Sequence, residues 1–273
     1  MIRDVLVHVD STEGGRRRLR YALQLSSRFK ARLTGVHVLA PVDVPPYYKP
    51  HAVEEVARDL AAAAREDAAA SEDLFRETTA SGPNPCRWRS LEGHMSEHVC
   101  ELARCADLVI LGQYEGEGSA QRRPLYLAEE VVLGAGRPVL VVPEQLDREF
   151  RCNRVLIGWD ATREATRAVH DALPLLVRTK PRIDILSLPE PGRTLAASEL
   201  ADHLGQHGLD VFVTSQARER GSHGEALVHT LIASQFDLLV VGAYAHPVWR
   251  ELLFGGSTQS VLAHARTPVL ISH

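Results

Sequence analysis

The sequence predicts an α/β protein made of two tandem doubly wound domains, each with a five-stranded parallel sheet. Three observations predict it: an internal repeat, short β-branched runs, and helical spacing between those runs. The 273 residues suffice for about two domains of ordinary size. The opening "DVLVHVDSTEGG" resembles "RVLIGWDATREA" at a constant offset of 150 residues, which puts Val5 on Val155 and Asp10 on Asp160. Further on, "ADLVILG" resembles "FDLLVVG" and "RPVLVV" resembles "TPVLIS" at an offset of 130. Asp107 then falls on Asp237, Gly112 on Gly242 and Pro138 on Pro268. Similarity held across two registers marks a duplicated structural unit.

The elements follow in order. In the first copy, Val5–Val9, Leu33–Leu39, Arg87–Leu91, Leu108–Leu111 and Val139–Val142 read as strands buried on both faces. In the second copy the strands are Val155–Trp159, Ile183–Leu188, Val211–Thr214, Leu238–Val241 and Val269–Ile271. Leu19, Leu23 and Leu25, and later Ala168, Leu173 and Leu176, mark intervening helices. Right-handed crossovers then place helices on both sheet faces. The two registers differ by 20 residues, and the excess lies between about Val42 and Cys86, where "VDVPPYYKP" leads into an Ala- and Glu-rich stretch. That segment reads as a loop and a lengthened, solvated helix. The first domain is placed at 1–146 and the second at 151–273. The short charged junction from Glu144 to Arg151 sets the two copies against each other.

Composition excludes several classes. A formal charge of −4 and a pI near 6.4 argue against nucleic acid as the main partner. The longest apolar runs, such as Leu238 to Ala243, are too short to span a bilayer, so no membrane partner is expected. Cys86, Cys100, Cys105 and Cys152 form no paired CxxC pattern, and no secretory leader opens the chain. Reduced thiols, a soluble protein and a cytoplasmic location are expected.

Ligands of such sheets sit beyond the carboxyl ends of strands, where the winding reverses. Asp160 stands at the tip of the second copy's first strand, and Thr162 is an N-cap for the helix after it. The fourth strand ends at Gly242 and leads to Gly255, Gly256, Ser257 and Thr258 before a helical run. Free N–H groups at a helix start, with two hydroxyls, can cradle a phosphate, and the glycines let backbone approach it. Asp160 could accept from a ribose hydroxyl or an adenine amine. A strand–Gly–helix junction with a hydroxyl cap also occurs in α/β folds without any ligand.

On these residues the chain resembles the universal stress protein family, twice over nearly its whole length. The resemblance implies the adenine nucleotide alpha hydrolase-like fold. ATP-binding members carry Gly, two residues, Gly, nine residues, Gly, then Ser or Thr. Gly242 and Gly255 match the first and third positions; Ala245 replaces the middle glycine, and Gly256 precedes the hydroxyls. By resemblance the adenine end lies near Trp159, Asp160 and Leu188, and the phosphates near Gly242, Gly255, Gly256, Ser257 and Thr258. The implied ligand is ATP, or ADP or AMP, with or without Mg. In the first copy Leu125, Tyr126, Leu127 and Ala128 take the loop's register and Glu115 that of Ala245, which suits a triphosphate badly. Relatives also pair their final strands across a dimer interface, which implies an internal pseudo-dimer here and leaves a homodimer open.

His94 and His98, and His203 and His207, sit four apart on expected helices, but neither pair brings an evident third ligand, and metal is not expected. His223, Glu225 and His229 lack hydrolytic spacing. Arg16, Arg17, Arg18 and Arg20 read as a solvated charged face. With no nucleophile elbow, paired catalytic carboxylates or Walker-type lysine, the chain is not expected to be an enzyme beyond slow ATP hydrolysis or self-phosphorylation. A cytosolic nucleotide-responsive stress regulator is the leading expectation. The alternative is a tandem adaptor or dimerisation platform without nucleotide, acting through protein partners or a lipid-like ligand. A metal-dependent enzyme built on the histidine pairs comes last.

Overall fold

A computed structural model of the chain describes residues 1–41, 50–113, 126–187, 197–215, 236–243 and 267–273. The first half runs β1 (Asp4–His8), α1 (Glu13–Phe29), β2 (Arg32–Leu39), α2 (Pro50–Thr79), β3 (Cys86–Glu92), α3 (Met95–Ala103), β4 (Leu108–Gly112), α4 (Tyr126–Ala135) and β5 (Val139–Val142). The second runs β6 (Arg154–Trp159), α5 (Arg163–Thr179), β7 (Arg182–Ser187), α6 (Ala197–Gln206), β8 (Asp210–Ser215), β9 (Leu238–Gly242) and β10 (Val269–Ser272). Each strand falls on a segment that the sequence marks as a strand. Leu188, read as the end of a strand, lies outside the described residues.

Strand alternation makes the layers. Val5, Val7 and Val9 join a core shared with α1, α5, α6 and the end of α2, while Leu6 points into a second core under α3 and α4. Helix starts repeat between the halves. Thr12 caps α1 by accepting from Gly15 N at 2.9 Å, and Thr162 caps α5 by accepting from Ala165 N at 3.1 Å. Lys30 and Lys180 close these helices in the left-handed region. Asp107 and Asp237, which fix the repeat's register, do structural work at the opposite strand ends. Asp107 Oδ2 accepts from Arg3 N and Asp4 N; Asp237 Oδ2 accepts from Asn153 N and Arg154 N.

The strand order is β3-β2-β1-β4-β5-β10-β9-β6-β7-β8, one ten-stranded sheet. Within each half all pairs are parallel, and β5 meets β10 antiparallel. Val139 pairs with Ile271, Leu140 with Leu270 and Val141 with Val269. Leu140 and Leu270 are equivalent positions of the repeat, so a pseudo-two-fold axis passes between them. This is the isologous pairing of a symmetric dimer, made within one chain.

Two expectations need correction. The outermost strands are not buried on both faces. In β3 most residues are exposed or half-buried, and in β8 Phe212 and Val213 are exposed, because an edge strand has a neighbour on one side only. The length difference also divides. Pairing aligns Leu33 with Cys86 and Ile183 with Val211, so the first half is longer by 25 residues up to β3 and shorter by five between β3 and β4. Most of the excess is helix: α2 has 30 residues and α6 has 10. As expected, α2 is largely solvated, and among its described side chains Ser71, Leu74 and Phe75 near its end are the buried ones.

The junction is clamped to both halves. Phe150 packs edge-on against Tyr21 with ring centres 5.4 Å apart, and its N–H donates to Gln24 Oε1 at 2.7 Å. On the other side, Arg148 donates to the Phe236 carbonyl at 3.0 Å and pairs with Asp237 at 3.4 Å.

Candidate functional site

From β6 the chain winds outward to β7 and β8, then returns to β9 on the other side of β6. The carboxyl ends of β6 and β9 therefore flank the point where winding reverses, the place where ligands of doubly wound sheets sit. Asp160 immediately follows β6 and Gly242 ends β9, with Ile157 paired to Val240 just before them.

Asp160 is buried, and its Oδ1 accepts from the Thr162 N–H at 3.0 Å and the Thr162 hydroxyl at 2.7 Å. The carboxylate is thus fixed against the start of α5. Between them Ala161 has φ +58°, a left-handed conformation that costs a non-glycine residue of order 1 kcal/mol. Its equivalent Ser11 is not among the positive-φ residues. Trp159 is buried in the core, and among the described residues its indole Nε1 has no hydrogen-bond partner. Gly242 has a packing reason for lacking a side chain. A Cβ there would stand 2.4 Å from Ala165 N, so glycine lets the start of α5 lie directly on β9. Leu188, Ala245, Gly255, Gly256, Ser257 and Thr258 lie outside the described residues, as do His223, Glu225 and His229. The structure thus brings Trp159, Asp160 and Gly242 to one sheet end.

The first half fills the equivalent place with its own charges. Asp10 Oδ1 accepts from Thr12, as Asp160 does, but Asp10 Oδ2 accepts from the buried guanidinium of Arg18. Arg18 Nε also donates to the His8 carbonyl at 2.8 Å. Burial pushes the Asp10 carboxyl up, and Arg18, His8 and Thr12 outweigh it, holding the group below the ordinary range. Burial and then Arg18 lower His8 to about 3, so His8 is neutral, and its Nε2 is buried without a partner among the described residues. His37 completes the cluster, with Nδ1 3.0 Å from the Val9 carbonyl.

The solvated-face reading of the arginine run therefore fails for Arg18. The signal was present: Gly15, Arg18, Ala22, Leu25 and Phe29 recur every three to four residues and form the inward stripe of α1. Ala168 takes the register of Arg18 in the second half, and among the described residues Asp160 makes no ion pair. Where the loop register of the first half falls, Leu127 and Ala128 are buried in the core beneath α4. His94 and His98 do not form a chelating pair, because His98 Nε2 bonds the Glu92 carbonyl at 3.0 Å.

Two doubly wound halves, joined edge to edge through their last strands and sharing an aspartate at the first strand tip, define a duplicated α/β protein. The family model for universal stress proteins matches the chain twice, over residues 1–143 and 152–273. The chain belongs to the universal stress protein family.

Solved structures share this fold over its full length. One is a universal stress protein from Archaeoglobus fulgidus DSM 4304, 16% identical, covering 98% of this chain and 96% of its own, with a TM-score of 0.68. Another is a putative universal stress protein from Pseudomonas aeruginosa UCBPP-PA14, 14% identical, covering 99% and 93%, with a TM-score of 0.57. A functionally unknown protein from Pseudomonas aeruginosa PAO1 is 13% identical, covers 99% and 92%, and has a TM-score of 0.56. No curated protein matches the chain. Among the described residues no helix is long and apolar enough to cross a membrane.

Proposed function

We propose that the second unit, residues 151–273, binds an adenine nucleotide (ATP, or ADP or AMP) and that the protein is a nucleotide-responsive regulator of a cytoplasmic stress response. The observation that carries this reading is the difference between the two strand tips. Arg18 neutralises Asp10, whereas Asp160 has Ala168 at that register and no ion pair among the described residues. A buried carboxylate is stabilised by donors, and a ribose hydroxyl or adenine amine supplies them. The indole N–H of Trp159, unpartnered among the described residues, is a second polar group beside the same strand end. The glycine and hydroxyl run from Gly255 to Thr258 supplies the phosphate side of the proposal on sequence alone. Magnesium, where present, would accompany the triphosphate. The reading is one of binding rather than turnover, since the sequence offers no lysine of Walker type and no catalytic carboxylate pair.

Titration calorimetry of the full chain with ATP–Mg tests it. One nucleotide per chain is expected. Asp160→Asn, which keeps the shape and loses the charge, is expected to weaken binding about tenfold or more, because hydrogen bonds to charged groups contribute about 1.5–3 kcal/mol. Asp10→Asn is expected to leave the affinity unchanged. Absence of heat at millimolar ATP–Mg would instead leave a tandem platform acting through protein partners or another small ligand.

A further inference from the structure

The helices over the second half carry a feature that the nucleotide reading does not use. His203, in the last turn of α6, and His207, just past its end, face the same way because four residues make about one turn. From α5, His170 meets them. The His170 and His203 ring centres are 5.4 Å apart, and those of His203 and His207 are 5.0 Å apart. All three side chains are exposed. The third ligand that the sequence spacing lacked thus comes from a neighbouring helix.

We propose that His170, His203 and His207 form a binding site for a divalent transition-metal ion of the zinc class. Two of the three ring pairs, His170–His203 and His203–His207, have the separation of imidazoles that share one tetrahedral ion. With a metal–nitrogen bond of about 2.1 Å and a ring centre roughly 1.1 Å beyond the nitrogen, two such rings have centres about 5.2 Å apart. The hydrogen bond that His170 makes within its own helix leaves its other ring nitrogen for a metal. Its Nδ1 lies 2.9 Å from the Thr166 carbonyl, and a carbonyl can only accept, so Nδ1 carries the proton and Nε2 keeps its lone pair. Metal-bound histidines are commonly held in this way through their second nitrogen.

The chain end of α6 is fixed by Gly208, at φ +72°, and by the His207 N–H donating to the Leu204 carbonyl at 3.0 Å. Helix carbonyl ends carry partial negative charge, which favours a cation there. In this conformation no three His, Cys, Asp or Glu side chains among the described residues are yet set to hold a metal. On this proposal the three exposed side chains rotate to close around the ion, a motion on the picosecond-to-nanosecond scale. Imidazole nitrogens without thiolate suit zinc, copper or nickel, and water completes the coordination. The first half has no counterpart, because Arg20 stands at the register of His170.

Untagged full-length protein is titrated with Zn²⁺, and with Co²⁺ for the visible absorption that tetrahedral cobalt gives. One equivalent of Zn²⁺ is expected to bind, Co²⁺ is expected to develop that absorption, and zinc is expected to raise the thermal midpoint. Substitutions of exposed residues leave the fold intact. His170→Asn and His203→Asn are each expected to weaken zinc binding at least about tenfold and to remove the thermal shift. His94→Asn, outside the cluster, is expected to bind zinc as the unaltered protein does. The proposal is overturned if no saturable equivalent binds, or if both cluster variants bind zinc undiminished. Nucleotide affinity is a separate readout and does not enter this test.

Discussion

At the scale of single residues, the two strand tips carry the same aspartate in different surroundings, since Asp10 pairs with Arg18 and Asp160 makes no ion pair among the described residues. In the first half Asp10 is neutralised from within, and the group that makes this possible, Arg18, lies on the buried stripe of α1 beside a neutral histidine. The arrangement has a consequence in acid. An unfolded chain protonates position 8 near the ordinary histidine value of about 6.5, whereas the folded chain resists until about 3. Between those values the unfolded state holds the extra proton, so stability falls as the pH drops through that window. Asp10 acts in the same direction further down, since its folded value is depressed and its contribution fades below the ordinary carboxylate range. Urea unfolding of the His8→Leu variant at stepped pH isolates the histidine. Its stability is expected to decline less steeply than that of the unaltered protein, by up to about 1.4 kcal/mol per pH unit, between roughly pH 5.5 and 4. Parallel slopes would mean that His8 titrates normally in the fold.

Among the elements, α2 shows how little of a long helix needs to be buried to anchor it. Its 30 residues are mainly Ala, Glu and Arg, good helix formers that sustain the helix without a core. Burial is concentrated near the end, where Phe75 stacks on Trp88 with ring centres 5.2 Å apart. Gly35 on β2 leaves room for that ring; a Cβ there would stand 2.6 Å from it. Removing the aromatic anchor by Phe75→Ala is expected to cost about 3–5 kcal/mol. Leu60→Ala, at a position 45% exposed on the same helix, is expected to fall within about 0.5 kcal/mol of no effect. Denaturant midpoints of the two variants decide between an anchored end and a helix packed along its whole length.

Across the whole molecule, the antiparallel meeting of β5 and β10 turns two sheets into one and leaves β3 and β8 as its edges. Both core clusters contain residues from each half, so the apolar packing crosses the pseudo-two-fold axis. Hydrogen exchange on the intact chain is expected to follow this geometry. Amides of Val139–Val142 and Val269–Ser272 should exchange only through global unfolding, and those of Cys86–Glu92 earlier, by local opening. Early exchange at β5 and β10 would mean that the halves separate while each remains folded.

Read alone, the sequence determined the duplication, the ten strands, the Thr162 cap and the solvated insertion. Each of these is local: a β-branched run, a Thr at a helix start or a polar stretch carries its own signal within a few residues. Tertiary structure decided what depends on residues far apart in the chain. That Arg18 turns inward to Asp10, that β3 and β8 become edges, and that His170 meets His203 across two helices follow from packing. Helical periodicity can place a residue on a face, and only the fold can say what that face meets.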